Sequence, residues 1–243
     1  MNKEKAKTQI LGFKFLDVIM VIYVTVLVLS NIASSAKIID WGISIGKIPL
    51  SFDAGTLLFP ISYILGDVIT EVYGFKRSRR IIWIGFGALI FSALVFRLVQ
   101  VLPGETTWQN EVGQETYNQI LGSMSSGGII LASLAGYFAG SFSNAILMAL
   151  MKVLTKGKHL WTRTIGSTIV GEAVDTLTFI FIATLVGVFP WSLFWSLTIT
   201  NYIFKVSFET LVTPFTYLVV NALKRAEEID IFEEPQNLNP FKF

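Results

Sequence analysis

The chain has 243 residues, of which 53% are hydrophobic and 15% charged, with a net charge of +2 and a mean hydropathy of +0.62. Soluble domains carry about 25% charged residues, so this composition excludes an ordinary soluble domain and points to a lipid bilayer. Cysteine is absent, which removes a disulfide framework and any thiolate metal site or nucleophile.

Six apolar stretches follow one another, each read as a membrane-spanning helix. Residues 1–14 are polar and carry Lys3, Lys5, Lys7 and Lys14. The first span covers 15–39, enough to cross about 30 Å of hydrocarbon at about 1.5 Å per residue. It is too long for a signal-peptide core and no small-residue cleavage site follows it, so it is expected to remain. Alternating side chains broken by Gly46 predict a short extended or hairpin segment over 41–52. Asp53 stands where it can cap a second span ending near Tyr73. The third span covers 81–102, with Gly85, Gly87, Ala88 and Ala93 on a close-packing face. The loop 103–125 holds Glu105, Glu111 and Glu115 but no Lys or Arg, and Trp108 and Tyr117 suit a short interfacial helix there. The fourth span covers 127–150, where the pairs Gly136–Gly140 and Ala135–Ala139 predict tight helix contact. The fifth covers 164–188 and the sixth 192–223, leaving 226–243 as a polar, loosely ordered tail.

Charge placement orients this all-α bundle. Fifteen of the nineteen Lys and Arg fall in the N-terminal segment, the 76–80 loop, the 152–163 loop and the C-terminal end (Lys224, Arg225 and Lys242). The positive-inside rule then puts both termini in the cytoplasm. The domain division is a cytoplasmic segment 1–14, a six-helix transporter domain 15–225 and a cytoplasmic tail 226–243.

Polar residues at membrane depth carry the functional signal, because ionised groups in lipid face a bundle interior or a watery cavity. Asp67 and Glu71 lie one turn apart on one face of the second span, followed by the basic run Lys76, Arg77, Arg79 and Arg80. Glu172 and Asp175 share a face of the fifth span. Asn201, Lys205 and Glu209 form a stripe on the sixth, and Asn31 pairs with Ser35 on the first. A blander reading stands beside each: Glu71 neutralised by the nearby basic run, and Lys205–Glu209 as a pair that only locks packing. Arg97 is expected to snorkel to the surface, and the lone His159 to sit in a surface loop. Yet four helices bringing polar groups inward describe a solvated binding pocket. No GxSxG elbow, HExxH pair or Walker A loop is present, so no enzyme, cofactor or ATPase is indicated. Neither is a voltage sensor or ion filter.

The same stretches resemble a known family. Residues 29–37 (LSNIASSAK), the block Asp67-Val68-Ile69-Thr70-Glu71-Val72-Tyr73-Gly74, and Leu160-Trp161-Thr162-Arg163 through Ser167, Glu172 and Asp175-Thr176 are similar to the queuosine precursor transporters. Lys205, Glu209, Thr213-Pro214 and Tyr217 add a fourth matching block. The resemblance spans nearly the whole chain apart from the tails and the 103–125 loop. One position departs from the pattern, Glu172 standing where Gln is expected. The resemblance implies a six-helix protein of the bacterial inner membrane that imports 7-cyano-7-deazaguanine or a related 7-deazaguanine. It implies a substrate site drawn from Asn31, Asp67, Glu71, Glu172, Asp175, Asn201, Lys205 and Glu209, with no metal, cofactor or nucleic acid. Three classes are carried forward: a secondary carrier, coupled for example to protons through a buried carboxylate; a binding subunit of an ATPase-driven uptake system, or a carrier of another nucleobase-like or vitamin solute; and a membrane scaffold. The small-residue faces also allow a homodimer.

Overall fold

The elements run in simple order along the chain: α1 (Leu16–Ala36), β1 (Ile38–Ile45), β2 (Ile48–Asp53), a 3-10 turn (Ala54–Leu57), α2 (Phe59–Tyr73), α3 (Phe75–Val101), α4 (Thr106–Glu111), α5 (Gly113–Ser125), α6 (Gly127–Leu154), α7 (Leu160–Leu185), a second 3-10 turn (Trp191–Leu193) and α8 (Phe194–Glu227). The computed structural model describes residues 12–45, 48–125, 127–232 and 238–241. Expectations for the first eleven residues, for Gly46 at the hairpin turn and for 233–237 and 242–243 of the tail lie outside the described residues.

Among the described residues, five helices, α1, α3, α6, α7 and α8, are long and apolar enough to cross a membrane. The expected second span differs. Asp53 ends β2 rather than capping a helix, the 3-10 turn intervenes, and α2 has only 15 residues. At about 1.5 Å per residue it falls short of about 30 Å of hydrocarbon. It is nevertheless the middle of the molecule, packing against α1, α3, α6 and α8. A helix apolar on most of its faces is a buried one, and Tyr63, Val68, Ile69, Val72 and Tyr73 are all buried. Pro60 is suited to its first turn, where a backbone donor is not needed. Gly74, at φ 83°, ends it and starts α3 without a loop, a left-handed turn that side-chain-bearing residues resist.

Between α1 and α2 the strands pair antiparallel, Ile38 opposite Asp53 and Ile45 opposite Ile48. The 103–125 stretch forms two helices, and α5 packs on α1, α3 and α6. Ser35 Oγ donates to Ile120 O at 2.6 Å and Tyr117 Oη to Phe96 O at 3.2 Å. This covers the bundle end opposite the basic loops.

The closest helix pair is α6 with α7. A Cβ on Gly140 would lie 2.5 Å from Asp175 Cβ, and one on Gly136 3.0 Å from Asp175 Oδ1. The expected tight contact is therefore made within the chain. Gly85 likewise meets Tyr137 and Leu27, so these small-residue positions are occupied by the chain itself and provide no support for a homodimer. The outer surface is apolar: Leu211, Leu218 and Phe91 are 79%, 69% and 69% exposed. The interior is where the charges are, the inverse of a soluble protein and the arrangement a bilayer demands. Arg97 is exposed, as expected, bonding Gln100, and His159 is a loop residue at φ 52°.

Candidate functional site: a polar cavity beside Lys205

Helices α7 and α8 lie side by side, which brings the stripe on each together. Lys205 Nζ of α8 donates to Asp175 Oδ2 of α7 at 2.6 Å and stands 3.1 Å from Glu172 Oε2. Its ammonium also sits 5.5 Å from the centre of the Phe59 ring of α2, a favourable placement for a cation. One turn along, Glu209 Oε2 accepts from Thr168 Oγ1 at 2.6 Å. Glu172 and Glu209 are both fully enclosed.

Next to this group lies a cavity of about 480 Å³, within the range of about 300–1,000 Å³ common for small-molecule sites. Asn31, Asp175, Asn201 and Lys205 line it, with Phe59, Tyr63, Tyr137 and Phe179 giving aromatic faces. The two amides donate Nδ2 to carbonyls of their own helices, Asn31 to Leu27 and Asn201 to Leu197. The cavity occupies the half of the bundle away from the basic loops, since Lys37, Gln119, Ile129 and Phe189 also border it.

The other expected site residues stand apart from this wall. Glu172 and Glu209 lie behind Lys205. Asp67 accepts from Asn144 Nδ2 of α6 at 2.7 Å. Glu71 is farthest, at the basic end, where Arg163 Nε and Nη2 each donate to it at 2.8 Å. Lys224 Nζ is 2.5 Å from Glu71 Oε1, and Lys152 Nζ donates to the Glu71 carbonyl at 2.6 Å. Its expected neutralisation by the 76–80 run is replaced by cations from α6, α7 and α8. Asp230, beyond α8, bridges Lys152 and Lys224 at 2.7 and 2.8 Å. Partial burial pushes its carboxyl upward, but these two ammoniums outweigh that and hold it below the usual range.

Sequence reasoning did not find Tyr63, which lines the cavity and whose buried hydroxyl lies with Asp175 beside Gly140. It also missed Glu227, which accepts from the backbone N–H groups of Lys14 and Phe15 and from Tyr73 Oη. A lone Tyr in an apolar run and a Glu in a polar tail carry no sequence signal. The tail is more engaged than expected: Arg79 donates to Asn239 O, Trp83 Nε1 donates to Pro240 O, and Phe241 packs on Trp83.

Lipid-facing helices around an internal polar cavity define a multi-pass membrane protein with room for a small solute. The family described as "Putative vitamin uptake transporter" matches residues 53–219, and the chain belongs to that family. A "Probable queuosine precursor transporter" of Bacillus subtilis (strain 168) is 26% identical over 169 residues, 69% of this chain and 71% of that protein. A Haemophilus influenzae protein of the same description is 26% identical over 183 residues, covering 74% and 73%. No solved structure matches the chain.

Proposed function

We propose that this protein imports a queuosine precursor, 7-cyano-7-deazaguanine or a related 7-deazaguanine, across the bacterial inner membrane as a secondary transporter. The observation that carries the reading is the cavity in which Asp175, Lys205, Asn31 and Asn201 meet aromatic walls. A guanine-like edge presents adjacent N–H donors that Asp175 accepts in a bidentate manner, while Lys205 or an amide donates to the ring carbonyl. Phe59 and Phe179 supply faces for the flat ring. The relatives' printed descriptions support the substrate class.

In this reading α2 is the sixth crossing element, completed by the extended segment before it, and both termini are cytoplasmic. The cavity then belongs to the outer half, and the Glu71 cluster closes the cytoplasmic end. The domain limits 1–14, 15–225 and 226–243 follow, with the tail docked on the cytoplasmic face.

The test is direct binding of 7-cyano-7-deazaguanine to purified protein, with guanine and the aminomethyl form as competitors. Micromolar or tighter binding that guanine does not match supports the assignment; no binding of any deazaguanine overturns it. Uptake by proteoliposomes containing this protein alone separates a carrier from a subunit that needs an ATPase partner.

A further inference from the structure

We propose that the carboxyl groups of Glu172 and Glu209 share one proton, and that this proton is the ion whose movement drives transport. The inference rests on the secondary-transporter reading above and assigns its coupling site.

Apart from Glu71 at the basic end, four carboxylates, Asp67, Glu172, Asp175 and Glu209, gather around the cavity's inner side, and among the described residues Lys205 is the cation that pairs with any of them, namely Glu172 and Asp175. Asp67 has a neutral partner, Asn144, and Glu209 has a neutral partner, Thr168. Lys205 is engaged by Asp175 and Glu172 together. Full ionisation would therefore leave several uncompensated charges in a medium where each is very costly. Glu172 and Glu209 are brought together where α7 meets α8: Glu209 accepts from Thr168, one turn from Glu172, and Lys205, one turn from Glu209, pairs with Glu172. Ionised carboxylates are acceptors only, and two such groups in contact hold together with a proton between them.

A second observation points into the same cluster. Tyr63 Oη, Glu172 Oε1 and Glu209 Oε1 are buried without a hydrogen-bond partner, and Tyr63 Oη of α2 meets Asp175 of α7 beside Gly140. The groups around the pair are thus Asp175 and Thr168 on α7, Lys205 on α8, and Asp67 and Tyr63 on α2. Asp175 stands at the cavity wall and Asp67 stands on the side of Glu71, so the pair lies between the solute cavity and the basic end. The step balances simply: a proton enters from the cavity side onto the pair, neutralises one negative charge, and leaves as a proton toward the opposite end.

Infrared spectroscopy of purified protein at neutral pH, without ligand, reads the proton directly. The wild type is expected to show the carbonyl stretch of a protonated carboxylic acid, shifted in heavy water and lowered in intensity in Glu209→Gln. In proteoliposomes, an inward proton gradient is expected to raise accumulation of 7-cyano-7-deazaguanine at least tenfold in the wild type, with that gain lost in Glu209→Gln. Glu172→Gln provides a second reading should the first variant fail to fold. A spectrum without this band, or a band whose intensity neither substitution lowers, overturns the proposal. So does accumulation that follows a sodium gradient and ignores pH. Absence of deazaguanine binding would instead overturn the substrate assignment, and the infrared result would still decide the proton.

Discussion

Arg163 holds Glu71 with two arms, Nε on one carboxylate oxygen and Nη2 on the other, both at 2.8 Å, across 92 residues of sequence. Both side chains are essentially inaccessible. Bidentate geometry makes this the strong form of an ion pair. Removing one partner leaves the other buried and charged, at a cost of about 3–5 kcal/mol. Glu71→Gln is therefore expected to unfold much more readily in detergent than the wild type, with Arg163→Lys intermediate because it keeps the charge but loses the fork. Equal unfolding midpoints for Glu71→Gln and wild type would contradict a closing role for this cluster.

Two glycines make a matched pair for testing the helix contact. Gly140→Ala drives a methyl into Asp175 and Tyr63 and should cost about 1–3 kcal/mol by overpacking. Gly87 has open space around its Cβ position, and Ala there should stabilise α3 by about 0.5–1 kcal/mol. Thermal unfolding of the two variants should move in opposite directions. Gly140→Ala should also weaken ligand binding, since it displaces a residue of the cavity wall.

Lys205 pairs with both Asp175 and Glu172, so Lys205→Met is expected to cost about 3–5 kcal/mol in stability and to abolish substrate binding. Adding Asp175→Asn removes one of the stranded charges. The double variant should be more stable than the sum of the single losses implies, with a coupling of about 0.5–3 kcal/mol. Additive losses in denaturant unfolding would show that the pair does not act as a unit.

The tail contact gives a pH signature. Asp230 titrates below the usual range in the folded protein because Lys152 and Lys224 favour its charged form. Its contribution is present above the unfolded carboxylate value of about 3.9 and is lost as pH falls through the depressed folded value. Asp230→Asn should lower the unfolding midpoint at neutral pH, and the gap from wild type should close in strong acid. A constant gap across that range would rule out the titration of Asp230 as its source.

Much of the architecture was legible because lipid imposes length and polarity on each helix. The stretches around α1, α3, α6, α7 and α8 are all long apolar runs bounded by charge or turn residues. The short α2 was not, since its apolar run begins in strand and 3-10 backbone that composition does not distinguish from helix. At the site, spacing within a helix was informative: Glu172 with Asp175, and Asn201 with Lys205, do share faces. Spacing could not rank them, because helix rotation and partners from other helices decide who reaches the cavity. Asp67 and Glu71 share a helix and one turn of spacing, yet one meets Asn144 and the other meets Arg163. The Gly136–Gly140 signal was read correctly as close contact, and its partner, Asp175, could only be found in three dimensions.

Glu227 also sets an order of events during synthesis. The backbone donors of Lys14 and Phe15, just before α1, are satisfied by a carboxylate that emerges at least 212 residues later. Until translation passes the end of α8, the N–H groups of Lys14 and Phe15 must rely on water. The same is true of Glu71, which waits for Lys224. The basic end of the bundle can thus be sealed only after α8 is inserted, so a ribosome stalled before that point would leave the segment entering α1 without its carboxylate partner.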